Sequence, residues 1–465
     1  MRFRALRSGF KFQNVAGRSL RPGAGGVSAV GRNGDHLDSS LGAAKPSLSP
    51  SSSSSNYHTS RLSHNRGDCI RPIGVTRHVG AYTSRSIAAQ AAEKQENDSA
   101  SSKGGDIEVE LLNPFKLHLL ESGPPTHLHT NKDELMKMYR DMNVLRRMEL
   151  KADQLFKTQQ IRGFCHLYDG QEAIPAGMEA VLTYDDCVVT AYRDHGTFLG
   201  RGGTVFETFS ELMGRKTGCS LGKGGSMHLF KKENNFYGGW GIVGTSGPLG
   251  TGLALALKYT KKPNVTVAIY GDGAANQGQL YEAQNMAALW NLPVIYLVEN
   301  NHYGMGTAEW RASKQTTFFD RLHYIPGIKV DGMDAFSVKA AMQFAKDHCV
   351  AGKGPIVIEC DTYRYHGHSM SDPGSTYRSR DEIQNFRQER DPIERVSKII
   401  VKEGIASADD LKKLAKDIRR EVEEEATKAR DAPQPEEHEL FSHIYRLDTG
   451  LVTYGCDRKK DVELA

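Results

Sequence analysis

Along residues 133–157, apolar side chains recur at intervals of three and four: Leu135, Met138, Met142, Leu145, Met148, Ala152 and Leu155. That period places them on one face of a helix over Asp133–Lys157, with charged residues on the other. Thr130 with Asp133 supplies its start signal. A similar stripe near the far end, Leu411, Leu414, Ile418 and Val422, is opened by Ser407 with Asp410. Both read as packing helices with solvated charged faces and no chemistry of their own.

Between these helices the pattern alternates. Cys187–Thr190, Val265–Tyr270, Val294–Val298 and Ile356–Glu359 are short, β-branched runs that are apolar on both faces. Helical spacing separates the later ones, as in Leu280, Ala283, Ala287 and Trp290. Strands alternating with helices predict an α/β fold, a parallel sheet flanked by helices on both sides. Ligands of such sheets sit beyond the carboxyl ends of the strands.

Composition narrows the class further. The 465 residues are 38% hydrophobic and 25% charged, ordinary for a soluble enzyme of one large or two medium domains. No apolar run approaches the roughly 18–20 residues of a membrane helix, so no membrane partner is expected. Seven scattered cysteines without a Cys-x-x-Cys pair argue against a disulfide framework or a structural zinc. Cys165, beside His166, reads as packing rather than as a nucleophile.

The net charge of +4 hides an uneven distribution. Residues 1–90 carry thirteen Lys/Arg and three acids, a net +10, which leaves −6 for the rest. A mildly acidic body with a basic head does not describe a nucleic-acid binder. In the head, Phe3, Leu6 and Phe10 share one helical face while Arg4, Arg7 and Lys11 share another. A basic amphipathic helix free of acids, followed by a Ser/Gly/Arg-rich tract, is what a mitochondrial presequence requires. A plastid address has a similar composition, and this stretch by itself does not separate the two.

The chemistry concentrates after two of the strands. Val265–Tyr270 runs into Gly271-Asp272-Gly273-Ala274-Ala275-Asn276, and Val294–Val298 runs into Glu299-Asn300-Asn301-His302-Tyr303-Gly304. A crossover between parallel strands brings Asp272 and Asn301 to the same sheet edge. A carboxylate, an amide oxygen and a nearby backbone carbonyl are hard ligands suited to Mg²⁺, which commonly shares its oxygens with phosphates. Gly271 and Gly273 permit close backbone approach, and the next helix is expected to aim its N-terminus at the anion. The nicotinamide fingerprint fails because Asn276 stands where its third glycine belongs, and no P-loop is present.

A Gly-Asp-Gly at a strand end, followed by helix, strand and Asn-Asn, resembles the signature of thiamine-diphosphate enzymes. The resemblance widens with Arg162-Gly163-Phe164-Cys165-His166-Leu167-Tyr168-Asp169-Gly170-Gln171-Glu172-Ala173 and Thr190-Ala191-Tyr192-Arg193-Asp194-His195-Gly196. Gly224-Gly225-Ser226-Met227-His228, Asn235-Phe236-Tyr237-Gly238-Gly239 and Tyr363-Arg364-Tyr365-His366-Gly367-His368-Ser369-Met370-Ser371-Asp372-Pro373-Gly374 extend it. From about residue 107 to 445 the sequence is similar to the alpha subunits of the first, decarboxylating component of pyruvate dehydrogenase complexes, mitochondrial type.

That resemblance implies a set of roles. Asp272 and Asn301 side chains, with the Tyr303 carbonyl, would ligate Mg²⁺. Tyr192 and Arg193 would grip the diphosphate of thiamine diphosphate, with Gly273 and Ala274 completing its cradle. Gly241 and Val243 would touch the pyrimidine ring through backbone groups. His368 and His166 match catalytic positions near the reacting centre, while His195 and His366 stay open between support and catalysis. The activity implied is decarboxylation of a 2-oxo acid, with transfer of the acyl group to a lipoyl arm.

The family also needs a carboxylate against the pyrimidine, and neither Glu172 nor Glu299 matches that position. A beta subunit is therefore expected to supply it within an α2β2 heterotetramer, itself bound to a dihydrolipoyl acetyltransferase core. Ser369 matches the main inhibitory phosphorylation site, implying a regulatory kinase and phosphatase. The second site falls at Thr376 beside Ser375, and Ala308 replaces the third. The chain thus divides into a mitochondrial targeting leader (1–90), a linker (91–106), the catalytic domain (107–445, with a phosphorylation loop at 363–380) and a tail (446–465). Two other readings stay in play: the alpha subunit of a branched-chain 2-oxo acid dehydrogenase, and a non-catalytic scaffold derived from such an enzyme.

Overall fold

A computed structural model describes residues 107–444, together with the backbone of Val452–Tyr454 and Asp461–Glu463. The expected leader and linker lie outside the described residues, as do the side chains of the tail.

The main sheet has seven strands: β1 (Lys116–His118), β2 (Cys187–Ala191), β3 (Phe236–Trp240), β4 (Thr266–Gly271), β5 (Val294–Asn300), β6 (Gly327–Asp331) and β7 (Ile356–Asp361). Their spatial order is β1-β6-β7-β5-β4-β2-β3. All pairings are parallel except that of β1 with β6. The four runs expected from the sequence are β2, β4, β5 and β7, which lie side by side in the middle of the sheet. The flanking strands escaped notice for a physical reason. β1 is half exposed, and β3 (Phe-Tyr-Gly-Gly-Trp) and β6 (Gly-Ile-Lys-Val-Asp) interrupt the apolar run with glycine or charge.

Successive residues of the central strands serve opposite cores. On β4, Val267 and Ile269 join a cluster with Leu145, Met148 and Met178. Ala268 and Tyr270 join one with Ala254, Leu280 and Ala287 on the other face. The helices supplying these layers are α1 (Lys132–Lys157), α2 (Ala173–Glu179), α3 (His195–Gly200), α4 (Val205–Leu212), α5 (Ser246–Tyr259), α6 (Gly278–Leu289), α7 (Ala335–Val350), α8 (Arg380–Arg390), α9 (Pro392–Lys402) and α10 (Ala408–Asp431).

All seven stripe residues of α1 are buried. Its cap, however, is Asn131, whose Oδ1 accepts the Glu134 N–H at 2.9 Å. The Thr130 hydroxyl instead donates to the Glu134 carboxylate at 2.8 Å. At α10 the Ser407–Asp410 capping box forms as expected. Trp290, expected on the inner face of α6, lies just past its last residue and is 44% exposed.

Candidate active site

β4 and β5 pair in register as far as Gly271 opposite Glu299. Asp272 therefore emerges one residue beyond β4, beside Asn301 at the end of the neighbouring strand. Here the sheet edge opens into a cavity of about 310 Å³. Tyr192, Arg193, Val243, Asp272, Gly273, Ala274, Asn301, Tyr303 and His368 all line it. They arrive from five separate stretches of chain, so the topology alone gathers them.

Two of the expected residues stand off the cavity wall. His166 packs behind it, its ring 4.5 Å from that of Tyr192 and 5.3 Å from that of His368. Gly241 is exposed beside the His228 ring, where an added Cβ would meet Cε1 at 3.3 Å. The helix expected to point at the anion also begins late. A 3-10 turn, Ala274–Asn276, intervenes before α6 starts at Gly278, so Gly273 and Ala274 offer turn backbone rather than a helix end.

The oxygens at this edge are arranged for a cation. Asn301 donates its Nδ2 to Gln171 Oε1 at 3.1 Å, which turns its Oδ1 the other way. That Oδ1 is buried and has no partner among the described residues. Asp272 is 5% exposed, and burial pushes its carboxyl up while Arg364 and His302 pull against the shift. A buried carboxylate and an orphaned amide oxygen together make a hard-donor set that a divalent ion satisfies. Across the lip, a Cβ on Gly273 would lie 3.8 Å from the Cα of Gly304, so side chains on these facing glycines would fill the cradle.

Three groups at the site carried no role in the sequence reading. Gln171 orients the Asn301 amide. Arg364, 1% exposed, donates Nη2 to the Tyr303 carbonyl at 3.3 Å while its Nε and Nη1 have no partner among the described residues. Burial, then Arg193 and Arg378, bring its pKa down to about 10, a cation short of anions. His302 sits in the left-handed region (φ 69°) with its Nδ1 3.0 Å from Glu309 and its Nε2 3.4 Å from Asp361. Burial opposes its charge, but Asp361 and Glu309 outweigh it and lift the ring to about 9, which pins the turn between Asn301 and Tyr303. Gln171 and Arg364 lay inside quoted motifs; what was missing was the partner each would meet.

The histidines separate by environment. Burial, then Arg193, lowers His166 to about 2 and His368 to about 3, so both rings are neutral at pH 7. His195 is fully buried, with Nδ1 2.9 Å from Glu149 and Nε2 2.9 Å from Ser226 Oγ. That hydroxyl in turn accepts the backbone N–H of His166 at 3.3 Å. His366 lies 2.7 Å from Asp169. Cys165 is buried with its thiol pushed up to about 12, no nucleophile at neutral pH.

Arg193 does not present a free fork. Its Nη1 donates to the Leu167 carbonyl and its Nη2 to that of His368, the latter at 2.8 Å. Segment 363–380, expected as a phosphorylation loop, is well anchored. Tyr363 and Tyr365 are buried, and Arg378 donates to the carbonyls of Arg364 and His366. Neither glutamate noted in the sequence is idle: Glu172 is fully buried against Arg146, and Glu299 accepts the Tyr168 hydroxyl.

A parallel sheet that gathers a buried carboxylate, an orphaned amide oxygen and glycine backbone at one strand edge is a diphosphate-binding α/β enzyme domain of the thiamine-diphosphate type. The family follows from comparison with known proteins. Residues 140–438 match the model of the dehydrogenase E1 component, and the chain belongs to that family, whose members depend on thiamine diphosphate. It is 58% identical over 354 residues to the pyruvate dehydrogenase E1 component subunit alpha-1, mitochondrial, of Arabidopsis thaliana, covering 76% of this chain and 90% of that protein. The Solanum tuberosum alpha subunit is 56% identical over 375 residues (81% and 94%). The testis-specific alpha subunit of Rattus norvegicus is 53% identical over 342 residues (74% and 87%).

Proposed function

We propose that the chain is the alpha subunit of a mitochondrial-matrix pyruvate dehydrogenase, which decarboxylates pyruvate and passes the acetyl group to a lipoyl arm. The observation that carries this reading is the pairing of Asp272 with the orphaned Asn301 oxygen, in a chain so similar to pyruvate dehydrogenase alpha subunits. A scaffold would have no use for that pair, and the three relatives described above are named for pyruvate rather than for branched 2-oxo acids.

In this reading Asp272, Asn301 and the Tyr303 carbonyl hold Mg²⁺. Tyr192, Arg193, Gly273 and Ala274 receive the diphosphate, and the unpartnered N–H groups of Arg364 add positive charge nearby. Gly241 and Val243 meet the pyrimidine through backbone groups, the former after a shift of its exposed turn. Bound thiamine diphosphate supplies the electron sink for decarboxylation. His368 and His166, held neutral, give or take a proton at a ring nitrogen rather than acting as fixed cations. The His166 Nδ1, buried and without a partner among the described residues, is free for such a bond.

The site is half of an active site. Glu172 is committed to Arg146 and Glu299 to Tyr168, so the carboxylate for the pyrimidine comes from a beta subunit. Leu255 and Tyr259 on α5, Met286 and Leu289 on α6, and the adjoining Trp290 are exposed apolar groups that a partner subunit would cover. The assembly is an α2β2 heterotetramer docked on a dihydrolipoyl acetyltransferase core. Co-expression with a candidate beta subunit tests the function: turnover of pyruvate should exceed that of branched 2-oxo acids and vanish without thiamine diphosphate. Preference for a branched substrate would overturn the reading.

A kinase and phosphatase acting at Ser369 complete the proposal. Ser369 is buried at 8% exposure, with Asp372 N–H on its carbonyl and Met370 N–H on that of Cys165. A phosphate of roughly −1.5 to −2 charge has no room in that packing. Modification therefore requires 363–380 to leave its place, and prevents its return to the cavity wall, where it carries His368. Ser369→Glu should lower complex activity by at least about tenfold, the cost of burying one uncompensated charge. Full activity in that variant would refute the idea.

A further inference from the structure

Residues 165–169 carry His166 past the cavity, and their hydrogen bonds alternate like those of a strand, although no strand pairs with them among the described residues. On one side the carbonyls of Cys165, Leu167 and Asp169 accept from Met370 N–H (2.8 Å), from Arg193 and from Tyr365 N–H (3.1 Å). On the other side the N–H groups of His166 and Tyr168 donate to side chains. His166 reaches Ser226 Oγ at 3.3 Å, and Tyr168 reaches Glu149 Oε1 at 3.0 Å.

His195 ties those two acceptors together. Its Nδ1 lies 2.9 and 3.1 Å from the two Glu149 oxygens, and its Nε2 lies 2.9 Å from Ser226 Oγ. The three come from α1, from the first residue of α3 and from a 3-10 turn, Gly225–Met227, so only the fold brings them together. Glu149 and His195 have no exposed surface, and Ser226 is 4% exposed. Burying an acid with an imidazole is costly unless both are hydrogen-bonded. Here the bonds that lead out of the pair, through Tyr168 N–H and Ser226, both end on the segment that bears His166. None of the three lines the active-site cavity. What they set is the place of the His166 backbone, and with it a ring beside those of Tyr192 and His368, which do line it.

We propose that Ser226 and His195, braced by Glu149, are positioning residues for the reaction: they replace a neighbouring strand and hold His166 where its ring exchanges a proton, touching neither coenzyme nor substrate themselves. The proposal rests on the part given to His166 above. Small displacements of a reacting group carry large losses of rate, so a fixed backbone under that ring matters.

A double-mutant cycle on the assembled enzyme with its beta subunit separates positioning from packing. Ser226→Ala removes the acceptor of the His166 N–H, and kcat for pyruvate, followed as labelled CO₂ release, should fall at least about tenfold. In a His166→Ala background the same change should alter kcat by less than about twofold, because the group it acts through is gone. The Kd for thiamine diphosphate with Mg²⁺, measured by calorimetry, should stay within about twofold of the parent in Ser226→Ala. His195→Asn keeps an N–H for Glu149 and loses the contact with Ser226, so it should repeat the pattern, and it decides the case where Ser226→Ala does not assemble. Full kcat in Ser226→Ala, an equal loss in both backgrounds, a coenzyme Kd that weakens in step with kcat, or failure of both variants to assemble would overturn the assignment. A His166→Ala enzyme that keeps its turnover would instead remove the reading of His166, and this proposal with it.

Discussion

Replacing Asp272 by alanine in the assembled enzyme should cut pyruvate turnover by at least about 10³-fold, because the proposed charged ligand of the ion that would anchor the diphosphate is lost. Of the carboxylates in the cavity wall, Glu299 is committed to the Tyr168 hydroxyl, so none is left to substitute for Asp272. The defect should resist added Mg²⁺ and added coenzyme. Stability separates this loss from misfolding. Burial already raises the Asp272 carboxyl, so without an ion its charge is a burden on the fold at pH 7. The coenzyme-free variant should therefore melt no lower than the coenzyme-free parent. A variant that unfolds early, or one that keeps its turnover, would show that Asp272 serves the turn and not the ion.

Residues from about 90 to 465 without a beta subunit should show no measurable 2-oxo acid decarboxylation, and adding the beta subunit should restore it. The proposed reason is stereochemical: the resemblance implies a carboxylate on the pyrimidine, and the two glutamates within the motifs, Glu172 and Glu299, are committed to Arg146 and Tyr168. Glu172 has no exposed surface and is paired with Arg146, which also binds Asp391 at 3.0 Å. Freeing it would strand a buried guanidinium, at a cost of about 3–5 kcal/mol. Decarboxylation by the chain alone, measured as CO₂ release from pyruvate, would mean that Glu299 or another group had been misread.

The legible part of this protein was its middle. β2, β4, β5 and β7 announce themselves because both faces are buried and apolar, largely β-branched residues predominate, and the Asp272/Asn301 meeting follows once two of them are parallel neighbours. Residues whose role depends on a partner far away in sequence were not legible. Nothing in Gln171 says that its amide will steer Asn301, 130 positions on, nor in Arg364 that it will donate to the Tyr303 carbonyl. Local rules erred by small shifts with real consequences, as with the cap at Asn131 and the 3-10 turn ahead of α6. The anchoring of 363–380 was not legible because its aromatic rings and arginines, far apart in kind from an apolar run, pack on one another: Arg378 lies 5.1 Å from the Tyr363 ring centroid and 5.5 Å from that of Tyr377.

Anomalous diffraction from crystals of the assembled enzyme grown with thiamine diphosphate and Mn²⁺ is the most direct trial of the metal assignment. One strong peak per alpha subunit should lie roughly 2.0–2.3 Å from an Asp272 carboxylate oxygen, Asn301 Oδ1 and the Tyr303 carbonyl, the spacing of hard octahedral ligands. A peak bound elsewhere, with Asn301 Oδ1 still facing protein, would contradict it.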